Sequence, residues 1–128
     1  MNGLELLENS LALLGTSSTA SPEYAPFAVA LINVLIAETS EVNNGIRVSK
    51  GKERLSQVGE IISLSDVLPC EEELTRSAFV YGLCSKLLLN DDDMARVAYF
   101  QNMCASEIEA AAVCVLSPVA DVYGGGSE

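Results

Sequence analysis

Four cysteines are the most reactive side chains in this sequence of 128 residues, and their spacing limits the chemistry that they could support. Cys70, Cys84, Cys104 and Cys114 are separated by 14, 20 and 10 positions, and no Cys-x-x-Cys pair occurs. The sequence contains no histidine that could complete a zinc site. Because cysteine is among the residue types most often buried, we interpret the four thiols as reduced packing residues. The alternative is a small enzyme with Cys84 or Cys104 as its nucleophile.

Acidic side chains are the second group that could do chemistry, as general acids and bases or as metal ligands. They fall at predicted helix starts, at residues 71–73 and 90–93, where negative charge is favoured by the helix dipole. The spacing of a calcium loop is missing, and without histidine neither a Ser-His-Asp nor a Cys-His arrangement is possible. The glycine cluster at residues 124–126 precedes no helix that could bind a phosphate. The sequence therefore predicts no catalytic, cofactor-binding or metal-binding residue, and no enzyme.

The charge balance limits the partners of the chain. Eighteen acidic residues against seven basic ones give a net charge of −11, which argues against unaided binding to phosphate backbones. The same charge is compatible with DNA sliding through an acidic channel. The longest apolar stretch, residues 25–37, is shorter than the ~20 residues of a transmembrane helix, and the N-terminus has no basic region of an export signal. We expect no membrane partner and a cytosolic location at least during synthesis.

Hydrophobic spacing predicts an all-α fold, a small bundle of about four helices built mainly from Leu, Val, Ile and Ala. The first covers residues 3–14, the second begins at Ser21-Pro22 and ends near Glu41, and the fourth runs from Asp92 to about Leu116. The third follows the acidic residues 71–73 and is predicted to be the most buried. The apolar stripes of the four helices are Leu4, Leu7, Leu11 and Leu14; Phe27, Leu31, Val34 and Leu35; Leu74, Ala78, Tyr81 and Leu88; and Val97, Phe100, Cys104, Ile108 and Ala111.

A long irregular loop is predicted between the second and third helices, because glycines interrupt residues 42–69 and no helical period is sustained there. Four of the seven basic residues, Arg47, Lys50, Lys52 and Arg54, fall within eight positions of this loop. They are either a solvated charge run or a contact surface for an acidic partner. The apolar residues Val58, Ile61, Ile62 and Leu64 are expected to pin part of the loop to the bundle.

The end of the chain is predicted to be a flexible C-terminal tail. Ser117-Pro118 should end the fourth helix, which divides the chain into a helical domain, residues 1–118, and a tail, residues 119–128. Within the tail, residues 119–123 form an anchor-like apolar element before the terminal glycines.

The order of these segments resembles the head-to-tail connector proteins (adaptor or head completion proteins) of long-tailed bacteriophages and prophages. The similar segments cover about residues 3–112 and read LELLENSLALLG, ALINVLIAE, NNGIR, ISLSDVLP, FVYGLCSKLLLNDDD and AxxAYFxxMxxSEIEAA. The most specific part is the extended segment ISLSDVLP, which leads into two consecutive helices separated by an acidic turn.

This resemblance implies a structural virion protein and no catalysis. Copies of the chain would form a ring, a dodecamer in the virion, that lies in the neck between head and tail and extends the DNA channel. The implied partners are the chain itself, the portal protein and the tail-side stopper protein, while DNA passes without sequence-specific binding. The third and fourth helices would supply lateral contacts. Portal or tail contacts are assigned to Arg47, Lys50, Lys52 and Arg54 and to Val119, Val122 and Tyr123 in the tail.

A different class of function stays open beside the connector hypothesis. The net charge of −11 also fits an acidic helical regulatory or inhibitory protein of the DNA-mimic or anti-repressor type. Mimicry requires carboxylates spaced along an exposed surface, whereas the acidic residues here cluster at predicted helix ends.

Overall fold

Helices make up most of the described chain. The computed structural model describes the backbone of residues 1–16, 21–90 and 93–127, and the side chains of residues 1–16, 22–89 and 93–112. The helices are α1 (Gly3–Leu13), α2 (Ser21–Glu38), α3 (Ser40–Ser49), α4 (Glu72–Thr75), α5 (Ala78–Leu87) and α6 (Met94–Ser127), with a 3-10 turn at Leu88–Asn90. Over these residues no strand occurs beyond one isolated bridge between Asn2 and Val67. The predicted all-α class is confirmed.

Helix α1 begins and ends as the sequence predicts. The Asn2 side chain accepts a hydrogen bond from the Glu5 amide, and the Glu5 carboxylate accepts one from the Asn2 amide, which together form a capping box. At the other end Gly15 has a φ of +76°, a conformation that glycine adopts without a steric penalty. Between these ends Leu7 and Leu11 are completely buried.

Helix α5 lies at the centre of the fold, as predicted for the most buried helix. It packs most extensively against α6 and also contacts α1 and α2, and Phe79, Leu83 and Cys84 are fully buried. At Gly82 the helices approach so closely that a Cβ atom would lie 2.5 Å from Leu35 of α2. Any larger residue at this position would therefore force the end of the Leu35 side chain to shift.

The hairpin of α5 and α6 confirms the predicted pair of consecutive core helices. Val97 and Phe100 are buried on the inner face of α6, and Asp93 caps its start by accepting a bond from the Arg96 amide at 3.2 Å. Asp91 and Asp92 of the predicted acidic turn lie outside the described residues. Helix α6 has the bounds Met94–Ser127, past the end predicted at Ser117-Pro118. Side chains from residue 113 onward lie outside the described part, so the predicted division into domain and tail stays a prediction.

Leu4 was predicted on the apolar stripe of α1 but is 39% exposed. Three larger details of the helical prediction are also wrong, and the first is the inner face of α2. Phe27 and Val34 were predicted in the core but are 42% and 45% exposed, while Ile32 and Leu35 are buried. Helix α2 is apolar on nearly all sides, so the spacing of its apolar residues does not identify the buried face.

The second correction concerns the loop, because residues 40–49 form α3 and the irregular segment covers only residues 50–71. Asn43 and Asn44 suggested a break, but both are buried inside α3. Their side-chain oxygens accept hydrogen bonds from the Glu71 amide at 2.7 Å and the Leu55 amide at 2.8 Å. These polar residues therefore attach the irregular segment to a helix instead of ending the helix.

The third correction is the division of the predicted third helix into α4 and α5. The backbone departs from helical geometry at Ser77 (φ −135°, ψ −48°), and the Ser77 hydroxyl donates a hydrogen bond to Glu107 of α6. This break and the separate α3 explain why six helices occur in the described residues where about four were predicted.

Candidate functional site

The predicted basic residues gather around one carboxylate. Lys52 Nζ lies 2.9 Å and Lys50 Nζ 3.1 Å from Oε1 of Glu71, and the Arg47 guanidinium lies 3.5 Å from Oε2. The Glu71 side chain is only 9% exposed. The fourth residue, Arg54, pairs separately with Glu41 at 3.1 Å. We call Glu71 with its three cationic neighbours the Glu71 cluster.

The Glu71 cluster favours the charged forms of Glu71 and Lys50. Hydrogen bonding from Lys52, and then from Lys50, holds the pKa of the Glu71 carboxyl below its usual range. The pKa of Lys50 is raised, chiefly by its hydrogen bond to Glu73, whose carboxylate lies 2.7 Å away. The cluster joins the start of the irregular segment to its end and fixes this segment against α3.

All four basic residues thus have acidic partners within their own chain. A role of Arg47, Lys50, Lys52 and Arg54 in binding another protein stays a prediction, and binding would have to compete with these ion pairs. The sequence does not reveal the pairing, because Glu71 is separated from Lys52 by 19 positions. The predicted contact residues Val119, Val122 and Tyr123 have side chains outside the described part of the structure.

Residues 61–68 were predicted to be an extended segment, but they form a turn that is hydrogen-bonded to α1 and α2. We call it the anchored turn. The Asn33 side chain of α2 donates to the Ile61 carbonyl at 2.9 Å and accepts from the Ile61 amide at 2.8 Å. On the other side the Leu4 amide donates to the Leu64 carbonyl at 2.8 Å and the Leu68 amide to the Met1 carbonyl at 3.0 Å.

The tip of the anchored turn presents aliphatic side chains to solvent. Ile62 is 86% exposed and Val67 is 73% exposed, although they lie between the buried Ile61 and Leu68. Asp66 Oδ2 accepts bonds from the Ile62 amide at 2.8 Å and the Ser63 amide, and these bonds lower the pKa of the Asp66 carboxyl. Ile61 and Leu64 attach the loop to the bundle as predicted, because they pack in or against the hydrophobic core. Ile62 and Val58 do not, because their side chains are exposed.

A polar cleft of about 360 Å³ lies between α3 and the irregular segment. Its walls include Asn43, Asn44, Leu55 and Cys70, together with Glu41, which is bound to Arg54. Burial raises the pKa of the Cys70 thiol to about 12, so this thiol is protonated at neutral pH. A protonated thiol is a poor nucleophile, and this environment therefore does not favour covalent chemistry in the cleft.

The described thiols are expected to react slowly in the folded protein. Burial raises the pKa of Cys84 to about 11 and also raises that of Cys104. With iodoacetamide at pH 7.5 and site-resolved mass spectrometry, we expect Cys70 and Cys84 to label at least ~100-fold more slowly than in concentrated urea. Labelling of Cys84 in the folded chain at the urea rate would contradict the packing interpretation.

Comparison with family models, with curated proteins and with solved structures gives no match. In the part of the chain that the structure describes, no three potential ligands among Cys, Asp and Glu gather at one point. No single described helix is long and apolar enough to cross a membrane; Pro22–Glu38 and Ser40–Ser49 reach that length and composition only as a pair, bent by 59°.

Proposed function

We propose that this chain is a structural subunit of the head-to-tail junction of a long-tailed bacteriophage or prophage. Copies of it form a ring under the portal, extend the DNA channel and catalyse no reaction. The similarity in segment order to connector proteins over residues 3–112 supports this proposal.

The observation that carries the proposal is the exposure of Ile62 and Val67 on the anchored turn. Aliphatic side chains on an ordered backbone lose little conformational entropy when a partner covers them, and an aliphatic anchor that enters a pocket can form the centre of an interface. Hydrogen bonds to α1 and α2 hold the turn in one conformation before any partner binds. In this proposal the anchored turn inserts into an apolar pocket of the portal.

The charge of the chain fits a lining for a DNA channel. All seven basic residues are already paired with carboxylates of the same chain: Arg47, Lys50, Lys52, Arg54, Arg76, Lys86 and Arg96. With a net charge of −11 the remaining acidic surface repels the phosphate backbone, so DNA slides without adhering.

The same ion pairs weigh against the DNA-mimic alternative. Mimicry needs free carboxylates along one surface, but Glu71 and Glu73 are held by the basic segment and Glu38 is paired with Lys86 at 3.1 Å. In the connector proposal the basic segment has a structural role in addition to the predicted portal contact. The tail residues Val119, Val122 and Tyr123 are proposed as the second contact, toward the portal or the tail-side stopper protein.

The test is portal binding by an Ile62 variant. Light scattering of the purified chain with and without the portal ring of the same phage should show a complex for the natural sequence. Ile62→Asp should weaken that binding by roughly 100-fold, because a charge would be buried in an apolar pocket. Ile62→Leu should bind within about threefold of the natural chain, since it keeps the apolar contact.

Leu13→Asp provides the matched control, because Leu13 is an exposed aliphatic residue on α1, outside the anchored turn. This variant should bind the portal like the natural chain. If Ile62→Asp binds as well as Leu13→Asp, the anchored turn is not the portal contact. A chain that neither forms rings nor binds the portal would contradict the connector proposal and favour the acidic inhibitory module.

A further inference from the structure

The outer face of α2 carries an exposed apolar seam. Phe27, Ala30, Val34 and Ala37 are spaced by 3, 4 and 3 positions, and all four are exposed. No charged residue occurs between Glu23 and Glu38. Apolar residues with this spacing form the contact stripe of paired helices, where a second helix covers them. We call these four residues the α2 seam.

We infer that the α2 seam pairs with the α2 seam of a second copy of this chain, antiparallel about a two-fold axis at the level of Ile32. Residues 27 and 37 are equally far from position 32, and so are residues 30 and 34. In this register Phe27 faces the partner's Ala37, and Ala30 faces the partner's Val34. Each large side chain therefore meets a small one, which allows close packing of the two helices.

The charges at the ends of α2 favour the antiparallel direction. In sequence, Glu23 lies as many positions before Ile32 as Glu41 lies after it, and Glu41 is at the start of α3, just beyond the bend. The Glu41 carboxylate holds the exposed Arg54 guanidinium at 3.1 Å. The partner's Glu23 would thus approach Arg54, and a guanidinium with five donors can bind two carboxylates. A parallel pair would instead bring the two Glu23 side chains together, with mutual repulsion.

The geometry of the chain limits this interface to a short contact. Helix α3 departs from α2 at an angle of 59°, so the straight seam spans only about three helical turns. An interface of this size is smaller than a standard stable one, and we expect a dissociation constant of about 10–100 µM. Because the contact is isologous, it closes at two copies and cannot be the lateral contact of the proposed ring. It is a contact of the unassembled chain and is separate from the anchored turn.

The experiment is sedimentation equilibrium of the full chain over a concentration series from about 1 to 500 µM, the range around the dissociation constant expected for a small interface. The natural chain should pass from monomer to dimer. Val34→Asp should raise the dissociation constant at least ~100-fold, because the charge is buried twice in a two-fold interface. Val48→Asp is the matched control, since Val48 is 52% exposed on α3 outside the seam, and its dimer should be unchanged.

A charge exchange tests the direction of pairing. Glu23→Arg and Arg54→Glu should each weaken the dimer by roughly fivefold, and the double variant should return to within about threefold of the natural chain.

A chain that stays monomeric over the whole concentration range, or a dimer that tolerates Val34→Asp, overturns the inference. A double variant weaker than both single variants overturns the antiparallel register. If Val34→Asp abolishes portal binding but no dimer is found, the seam belongs to the portal complex and not to a pair.

Discussion

Phe79→Ala should lower the free energy of unfolding by about 4 kcal/mol, the largest single effect that we expect in this chain. Phe79 is completely buried in α5, and the core around it includes residues of α1, α2 and α6. Truncation removes the transfer free energy of the ring and leaves a cavity that these helices cannot fill without moving. The measurement is urea denaturation followed by circular dichroism at low protein concentration.

Phe27→Ala provides a matched control, because it makes the same substitution in a helix at a side chain that is 42% exposed. Its unfolding free energy should change by less than about 1 kcal/mol when the chain is monomeric. If Phe79→Ala is too unstable to fold, Phe79→Leu should still fold with a loss of about 1–2 kcal/mol. Equal effects of the two alanine variants would contradict the assignment of Phe79 to the centre of the core.

Burial of Phe79 and its neighbours was predictable because α5 is apolar over most of its surface, although the break at Ser77 before it was not recognised. Spacing alone also identifies the inner face of α6, where Val97 and Phe100 are buried. It fails at α2, where Phe27 and Val34 are as apolar as the residues that turn inward. The choice of face there depends on which side contacts α5, and this tertiary information is absent from the local pattern.

The candidate site was less predictable than the fold because its contacts join positions that are distant in sequence. Asn33 binds the backbone of Ile61 across 28 positions, and Asn43 binds the Glu71 amide across the same separation. An asparagine in a helix signals a break when it is considered alone. Only the folded chain shows that these amides fasten the irregular segment and thereby fix the direction of Ile62.

The basic residues illustrate the same limit in electrostatic terms. A cluster of Arg and Lys suggests binding to an acidic partner, and the acidic residues 71–73 suggest a helix start. Both interpretations treat the charges as local features, whereas the folded chain pairs Lys50 and Lys52 with Glu71. Partner binding at these residues and stabilisation of the irregular segment can now be tested separately.

Glu71→Gln should lower the free energy of unfolding at pH 7 by about 3 kcal/mol. The substitution keeps the shape of a buried side chain but removes its charge, so Arg47, Lys50 and Lys52 lose their shared counter-charge and repel one another. Of the three, only Lys50 keeps another carboxylate partner among the described residues, Glu73. Glu73→Gln is the control, because Glu73 is more exposed and pairs only with Lys50, and its loss should be within about 1 kcal/mol.

The pH dependence of this loss provides an independent check. The pKa of the Glu71 carboxyl is lower in the folded chain than its ordinary value of 4.5. Its contribution to stability is therefore fully present above about pH 5 and disappears as the pH falls through the folded-state pKa. The difference between the natural chain and Glu71→Gln should shrink over that range, whereas a purely steric effect would not change with pH.

Hydrogen exchange distinguishes the local consequence of Glu71→Gln from a general loss of stability. Because the Glu71 cluster joins the two ends of residues 50–71, its loss should increase exchange at the Leu55 amide, which is bound to Asn44. The Ile61 amide keeps its separate bond to Asn33, and its exchange rate should be affected less.

If portal binding persists in Glu71→Gln but is lost in Ile62→Asp, the basic residues stabilise the segment and the anchored turn makes the contact. Stronger portal binding by Glu71→Gln, with an intact Ile61 bond, would instead assign the contact to the basic residues, because binding would no longer compete with their ion pairs to Glu71.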